Sequence, residues 1–429
     1  MANIIQSVKG MHDYIPKDIQ IWQYIEKIFK NVLNSYSYQE IRFPIIEKTE
    51  LFQRGIGNTT DIIEKEMYSF KDKKNSNLTL RPEGTVGCMR SCIKNGLLRH
   101  SEQRLWYLGP MFRYEKPQCG RYRQFHQLGI ESFGLIGPDI DLEVIMLVQR
   151  IWKYLHISQY INLELNTIGS IHDRINYKKS LYLYFKKYES LLDKDCQRRL
   201  YTNPFRILDS KNDSIKEIID DAPILTDYID DDSSIHFEQL CKLMDKIGIS
   251  YIVNYKLVRG LDYYNKTVFE WTTNKLASKH TICAGGRYDY LSKYLGSISV
   301  PAIGCAIGVE RLILLLKSLK NQSLNVILCI DIFIIFLQKE IELHAIKLSE
   351  NVRTAFPDKN VQINFLNSNI TKQFRKANRL GARIVLLLGL IEVKNKTVLI
   401  KDLKFKKQKI SLIKNVIQEL KLFFVEDNL

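Results

Sequence analysis

The sequence predicts an α+β N-terminal part built on antiparallel strands, a helical insertion within it, and a small C-terminal α/β domain. Three observations carry this. Two β-rich segments, 105–112 and 123–133, flank a short polar loop of hairpin composition; the chain turns polar, Asp-rich and helical from about Ser170 to Asn254; and after Lys320-Asn321-Gln322-Ser323 strands and helices alternate. With 429 residues, 45% hydrophobic and 26% charged, the chain has the length for two or three packed domains and is neither disordered nor fibrous in composition.

Taken in order, residues 19–35 set Ile21, Trp22, Ile25, Ile28, Phe29 and Val32 at helical spacing, and a strand follows. Next comes the hairpin, then a helix over 139–156 with acids in its first turn, where the helix dipole favours them. Pro204 and Pro223 punctuate the polar stretch. In the last quarter the expected elements are a strand at 332–336, a helix at 340–355, a strand at 361–365, a helix at 371–380 ending at Gly381, strands at 384–388 and 398–400, and a final helix.

The formal charge of +16 favours a polyanionic partner, although the chain is also heavy in Ile, Asn and Tyr, so codon bias can account for part of its lysine. Distribution says more. Residues 326–429 hold 18 Lys and Arg against 10 Asp and Glu, a net of +8, which points to a C-terminal nucleic-acid-binding domain. No stretch reaches the ~20 apolar residues of a membrane helix; the longest, 326–336, is interrupted by Asp331. The N-terminus lacks a basic-then-apolar leader pattern, so a cytoplasmic location is expected and no membrane partner. The eight cysteines form no Cys-x-x-Cys pair, and Cys88 and Cys92, one helical turn apart, read as core packing. The eight histidines form no metal spacing either, and any metal ligands stay unassigned.

The stretch Leu257-Val258-Arg259-Gly260-Leu261-Asp262-Tyr263-Tyr264 sets an obligate cation and two phenolic rings around a glycine that admits close backbone approach. A planar, anionic guest suits it, though alone it reads equally well as a turn with a surface arginine. Ala284-Gly285-Gly286-Arg287-Tyr288-Asp289 and Gly304-Cys305-Ala306-Ile307-Gly308-Val309-Glu310-Arg311 follow. In this order the three blocks resemble the two histidine-specific signatures and class II motif 3 of the histidyl-tRNA synthetase family, bacterial type. The resemblance extends nearly end to end. Lys9-Gly10-Met11-His12-Asp13 is similar to the family's opening segment, with Lys9 where Arg is usual. Residues 38–47 resemble motif 1, a strand ending at Pro44 that builds the dimer interface in relatives. Thr79-Leu80-Arg81-Pro82-Glu83-Gly84-Thr85 resembles the amino-acid-binding element, and Phe112-Arg113-Tyr114-Glu115 through Gly129 resembles motif 2.

The resemblance implies an α+β catalytic domain with the antiparallel sheet of class II synthetases (1–169 and 255–325), a helical insertion domain (170–254) and an α/β anticodon-binding domain (326–429). Activation requires the carboxylate of the amino acid to attack the α-phosphorus of ATP, so fixed cations must offset charge on both anions. By resemblance Arg113 grips the α-phosphate, Arg259 approaches the same centre from the opposite side, and Arg311 lies against adenine or the terminal phosphate. Arg121 belongs to the same ATP site, Glu115 accepts from the adenine amino group and Phe125 stacks on the ring. Outside a motif, each arginine would read as a surface ion pair.

For histidine, Glu83 and Thr85 resemble the ammonium-binding pair. Gln127 and Glu131 are four apart in one strand and so share a face. The resemblance has Glu131 and Tyr264 hold the imidazole, with Tyr263 and Tyr288 walling the pocket; on spacing alone Glu131 reads as a solvated strand-face acid. Lys116 and Gln118 sit in the polar motif 2 loop, which in relatives faces the tRNA acceptor end. Lys372, Arg375, Lys376, Arg379 and Arg383 fall on one helical face, either solvated or set against RNA; in a domain resembling the family's anticodon-binding module, Lys372, Arg375 and Arg379 are expected to contact tRNA.

The implied activity is formation of histidyl-adenylate from L-histidine and ATP, with Mg2+ carried by ATP, then transfer to the 3′ end of tRNA(His) by a homodimer. The alternative is the catalytically silent, synthetase-like regulatory subunit of ATP phosphoribosyltransferase. That paralogue typically lacks the anticodon domain and departs from the histidine signatures, whereas this chain has both.

Overall fold

The computed structural model describes residues 4–57, 60–99, 102–208, 210, 212–276, 280–319, 330–365 and 369–425. The expected linker at 320–323, and with it the boundary at 325/326, lies outside the described residues. The chain divides into two compact units, Met1–Tyr14 with Trp22–Asn321 and Ile15–Ile21 with Gln322–Leu429.

The first unit is organised by an eight-stranded sheet. Its order is Gln39–Glu40, Gln103–Phe112, Gln124–Phe133, Ala302–Gly308, His280–Arg287, Asn265–Thr273, Asn162–Thr167 and Ile252–Val253. The six inner strands pair antiparallel, and only the two short edge strands run parallel to their neighbours. The expected hairpin is present, with Leu105 opposite Glu131 and Met111 opposite Phe125. Ala302–Gly308 then pairs with the hairpin's second strand and brings Gly304 opposite Glu131. Glycine is required there: a Cβ would lie 1.8 Å from a Glu131 carboxylate oxygen. The helix read at 139–156 spans Pro138–Tyr154 and buries Val144, Ile145, Leu147, Val148 and Ile151.

Helices run from Ile171–Lys186 to Asp231–Ile247 as expected, but Ile252–Val253, read as part of the insertion, is the edge strand of the large sheet. A capping box between Ser170 and Asp173 starts the first of these helices, satisfying amides that have no partner within the helix. Tyr177, Leu181, Phe185, Leu200 and Ile207 share one core with Val86, Tyr107 and Tyr263, so the insertion packs within the first unit.

The motif 1 segment is not one strand. Gln39–Glu40 joins the large sheet, whereas Ile46–Lys48 joins a separate three-stranded sheet with Asn77–Leu80 and Tyr68–Lys71. Pro44, which cannot donate to a ladder, lies between them.

The second unit is the expected α/β domain. Val361–Ile363, Ile332–Phe336 and Ile384–Leu388 are adjacent and parallel; Thr397–Asp402 and Gln408–Leu412 continue the sheet antiparallel. Parallel strands buried on both faces read as apolar runs, which is why Ile332–Phe336 and Ile384–Leu388 were legible. The last strand escaped sequence reading because its burial is confined to Ser411.

The basic helix spans Ile370–Arg379, with the Asn369 side chain accepting from the Lys372 amide at 3.0 Å. It stops before Gly381, whose φ of +67° leaves the helix. Arg383 therefore does not extend the basic face: it lies 3.6 Å from the buried Asp402 carboxylate and donates to the Phe423 carbonyl. Lys376 donates to Asn364 Oδ1 at 2.8 Å, while Lys372, Arg375 and Arg379 are exposed.

Candidate active site

A cavity of about 250 Å³ opens over the middle of the large sheet, lined at one end by Arg113, Arg121, Arg259 and Arg311 and at the other by Glu83, Thr85, Gln127 and Tyr264. Residues from 83 to 311 meet here because the antiparallel register sets the motif 2 hairpin beside the strands that carry the later signatures.

At the cationic end, backbone carbonyls aim two guanidiniums. Arg113 Nε donates to the Pro82 carbonyl at 2.8 Å, with its guanidinium 5.3 Å from the Phe125 ring centre. Arg311 donates to the carbonyls of Gly120 (3.0 Å) and Thr281 (2.9 Å). Burial lowers the Arg311 pKa, and the neighbouring charges of Arg121 and Arg113 lower it further while Glu115 opposes them. Arg121 lies 3.5 Å from Glu115. Three crowded cations, with Glu115 the one acid among the described residues in ion-pair range of Arg121, are arranged for a polyanion.

Arg259 forms an ion pair with Glu270, and both side chains are 16% exposed. Glu270 also accepts from the Thr281 hydroxyl at 2.7 Å, and the Arg259 guanidinium lies 5.8 Å from the Tyr264 ring centre. Glu270 and Thr281 lie outside every recognised motif and were missed; the available signal was an acid interrupting the apolar run Val268-Phe269-Glu270-Trp271.

Glu131 does not itself line the cavity: it is wholly buried behind Thr85 and Tyr107, which do, and this excludes the solvated-acid reading. Its carboxylate accepts from Thr85 Oγ1 at 2.8 Å, from the Tyr107 hydroxyl at 2.9 Å, and from the Tyr288 hydroxyl. Burial pushes its pKa up to about 8 against these three hydroxyl donors. Tyr264 lines the cavity with the Arg259 guanidinium over its ring, and Tyr107 takes a place beside Glu131 that no motif indicated. The signal for Tyr107 was its cross-strand partner Gly129, at which a Cβ would lie 2.0 Å from the tyrosine ring. Tyr263, Tyr264 and Tyr288 cluster with ring centres 4.7–6.2 Å apart.

Glu83 is also buried, and burial raises its pKa; its oxygens accept the amides of Thr85 (2.9 Å) and Val86 (2.8 Å) and the Tyr263 hydroxyl (3.3 Å). It thereby secures the start of the Thr85–Lys94 helix. Behind the tyrosines, buried Arg287 binds Asp141 at 2.6 Å, and Asp141 accepts from His236 at 2.8 Å. Burial favours a neutral Asp141, but the His236 hydrogen bond and the Arg287 charge hold its pKa below the usual value. His126, inside motif 2, is bound through its amide and ring nitrogen to Glu310 at 2.9 Å. Lys116 and Gln118 are exposed on the hairpin tip and do not line the cavity. Among the described residues no group of three or more His, Cys, Asp or Glu is placed to hold a metal ion.

Comparison with known proteins gives the chain's family. Residues 68–319 match the tRNA synthetase class II core domain (G, H, P, S and T) and residues 331–421 match an anticodon binding domain. The chain is 66% identical over 424 residues to a histidine–tRNA ligase of Buchnera aphidicola subsp. Baizongia pistaciae, covering 99% of this chain and 100% of that protein. Apo histidyl-tRNA synthetase of S. aureus superposes with a TM-score of 0.81 at 33% identity, over 97% of this chain and 100% of that one. A protein of Bacillus halodurans described as an ATP phosphoribosyltransferase regulatory subunit/histidyl-tRNA synthetase shares the fold at a TM-score of 0.65 and 20% identity, over 91% of this chain and 99% of that one.

Proposed function

Since the chain belongs to the histidine–tRNA ligase family of class II aminoacyl-tRNA synthetases, it is an aminoacyl-tRNA ligase that joins histidine to tRNA with consumption of ATP, and we propose how its own residues divide that work. The single observation that carries the proposal is a cavity whose lining sets four arginines with Glu83, Thr85, Tyr107 and Tyr264, Glu131 being buried directly behind Thr85 and Tyr107.

Mg-ATP enters as substrate with its phosphates towards Arg113, Arg121 and Arg311, adenine beside Phe125 and Glu115, and Mg2+ held chiefly by phosphate oxygens and water. Arg259 moves from Glu270 to the α-phosphate, because a phosphate can accept both prongs of its fork. The histidine carboxylate attacks the α-phosphorus, the bond to the bridging oxygen breaks, and pyrophosphate leaves. A hydroxyl oxygen of the terminal ribose of tRNA(His) then attacks the adenylate's carbonyl carbon, the bond from that carbon to the phosphate oxygen breaks, and AMP leaves, its phosphate able to take the hydroxyl proton, with histidine now esterified to the tRNA.

The imidazole N–H donates to Glu131 and Tyr264 meets the other face of the ring, while Tyr263 and Tyr288 close the wall. Thr85 Oγ1 currently shares one Glu131 oxygen with Tyr107. Once the imidazole takes that oxygen, Thr85 turns to the ammonium beside Glu83, and Gln127 takes the carboxylate end. A site that satisfies both ring nitrogens rejects amino acids lacking them, because its buried polar groups would be left unpaired.

Lys116 and Gln118 meet the acceptor end, and Lys372, Arg375 and Arg379 meet the anticodon arm. The protein works as a homodimer in the cytoplasm. Dimerisation is supported by apolar side chains exposed around the three-stranded sheet, Ile45 (40%), Ile46 (45%) and Phe70 (44%); free thiols at the seven cysteines among the described residues suit the cytoplasm. The regulatory-subunit reading is not favoured, given a full-length ligase relative and the anticodon domain. Charging assays test the division: Glu131→Ala should raise the histidine KM at least tenfold with ATP KM little changed, and an unchanged histidine KM removes Glu131 from the pocket.

A further inference from the structure

Arg259 and Leu261 line a second cavity, of about 210 Å³, as well as the active-site cavity, so the segment that carries Arg259 separates the two. The second cavity is cationic: Arg174, Lys178, Arg206 and Arg259 line it against one acid, Asp262. Three of these come from the helical insertion, and their hydrogen bonds run largely to carbonyls: Arg174 to Asp262 O (3.1 Å), Arg206 to Gly260 O (3.2 Å) and Lys178 to Thr202 O (2.8 Å). Carbonyl acceptors orient a cation without neutralising it. Among the described residues neither Arg174 nor Lys178 has a carboxylate within ion-pair distance, and the Arg206 ion pair is with Asp61 at 3.6 Å. Two buried polar atoms of lining residues, Arg174 Nε and Asn203 Oδ1, have no hydrogen-bond partner among the described residues. Gathering such groups around an open volume is costly unless an anion completes them.

Burial lowers the Arg174 pKa, as expected of a cation removed from water without full compensation. Four cations lining it against one acid suit a phosphate group, whose oxygens can accept several charge-assisted hydrogen bonds at once. We infer that this cavity binds a small phosphate group, coming either from pyrophosphate or from a phosphodiester of the tRNA 3′ end. Naming those two sources rests on the ligase reading; the cationic site itself does not. An anion there would sit against the far side of the Arg259 segment, which Arg174 and Arg206 already hold through the Asp262 and Gly260 carbonyls.

Calorimetric titration of the full-length protein with inorganic pyrophosphate, and separately with tRNA, tests this without turnover. The background is Arg121→Gln, which weakens the phosphate cluster of the active site. Lys178 is exposed and lies outside the machinery assigned to adenylation, so Lys178→Gln keeps the fold. The variant should bind one of the two probes about fivefold more weakly, with ATP affinity unchanged. Lys179→Gln, its exposed neighbour outside the cavity lining, should match the parent. Loss confined to pyrophosphate identifies the product as the source, and loss confined to tRNA identifies the phosphodiester. Parental binding of both probes by Lys178→Gln, or an equal loss from Lys179→Gln, overturns the site. If the titrations behave as expected but histidine supports no pyrophosphate exchange, the ligase reading fails and the anion site stands.

Discussion

The Arg259 guanidinium is paired with the Glu270 carboxylate, which also accepts from the Thr281 hydroxyl at 2.7 Å. The cation assigned to the transition state is thus held against an anion that an α-phosphate can replace. Arg259→Ala should lower histidine-dependent pyrophosphate exchange by 10² to 10³, since losing one preorganised donor costs about 3 to 4 kcal/mol. Circular dichroism should be unchanged, and exchange near the wild-type rate would remove Arg259 from the reacting centre.

Glu131 gives a pH prediction. Its folded-state pKa is about 8 against a reference of 4.5, chiefly through burial. Between those values the folded protein retains a proton that the unfolded chain has released, so stability contributed by this group falls as pH rises, by up to roughly 1.4 kcal/mol per pH unit. Glu131→Gln should flatten the fall in Tm from pH 5 to pH 8 relative to wild type. Parallel Tm profiles for the two proteins would mean that Glu131 is ionised throughout that range.

Gln118 is exposed on the motif 2 hairpin tip, outside the cavity lining. Gln118→Ala should slow tRNA charging several-fold and leave pyrophosphate exchange nearly intact, because only the second step presents the acceptor end. Equal losses in both reactions would assign the tip to ATP.

The net +8 of residues 326–429 yields a prediction by salt dependence. A chain ending at residue 324 should still exchange pyrophosphate with histidine while binding tRNA more weakly and with a shallower slope of log affinity against log salt. Unchanged affinity and slope would make the C-terminal charge a solvated surface.

Local pattern made much of the fold legible. The hairpin showed in its polar loop between β-rich runs, and the parallel strands of the second unit showed as Ile- and Leu-rich segments. What pattern could not convey was register and chain direction. Period-2 alternation put Gln127 and Glu131 on one face, but which tyrosine reaches Glu131 depends on pairing across strands, and the partners are Tyr107 and Tyr288. Glu270 and Thr281 acquire meaning only once their strands lie side by side beneath Arg259. Arg383 was misplaced because helical spacing was carried past Gly381, where the backbone leaves the helix. Motif 1 reads as one strand ending at Pro44 in the sequence, but Pro44 lies between a strand of the large sheet and one of the three-stranded sheet.

The central claim is that one cavity activates histidine and no other amino acid. ATP–pyrophosphate exchange by the full-length protein, measured with each of the twenty amino acids in turn, tests it most directly. Histidine alone should support exchange, with the other nineteen at background; exchange that is absent with histidine, or equally strong with a second amino acid, would contradict the account.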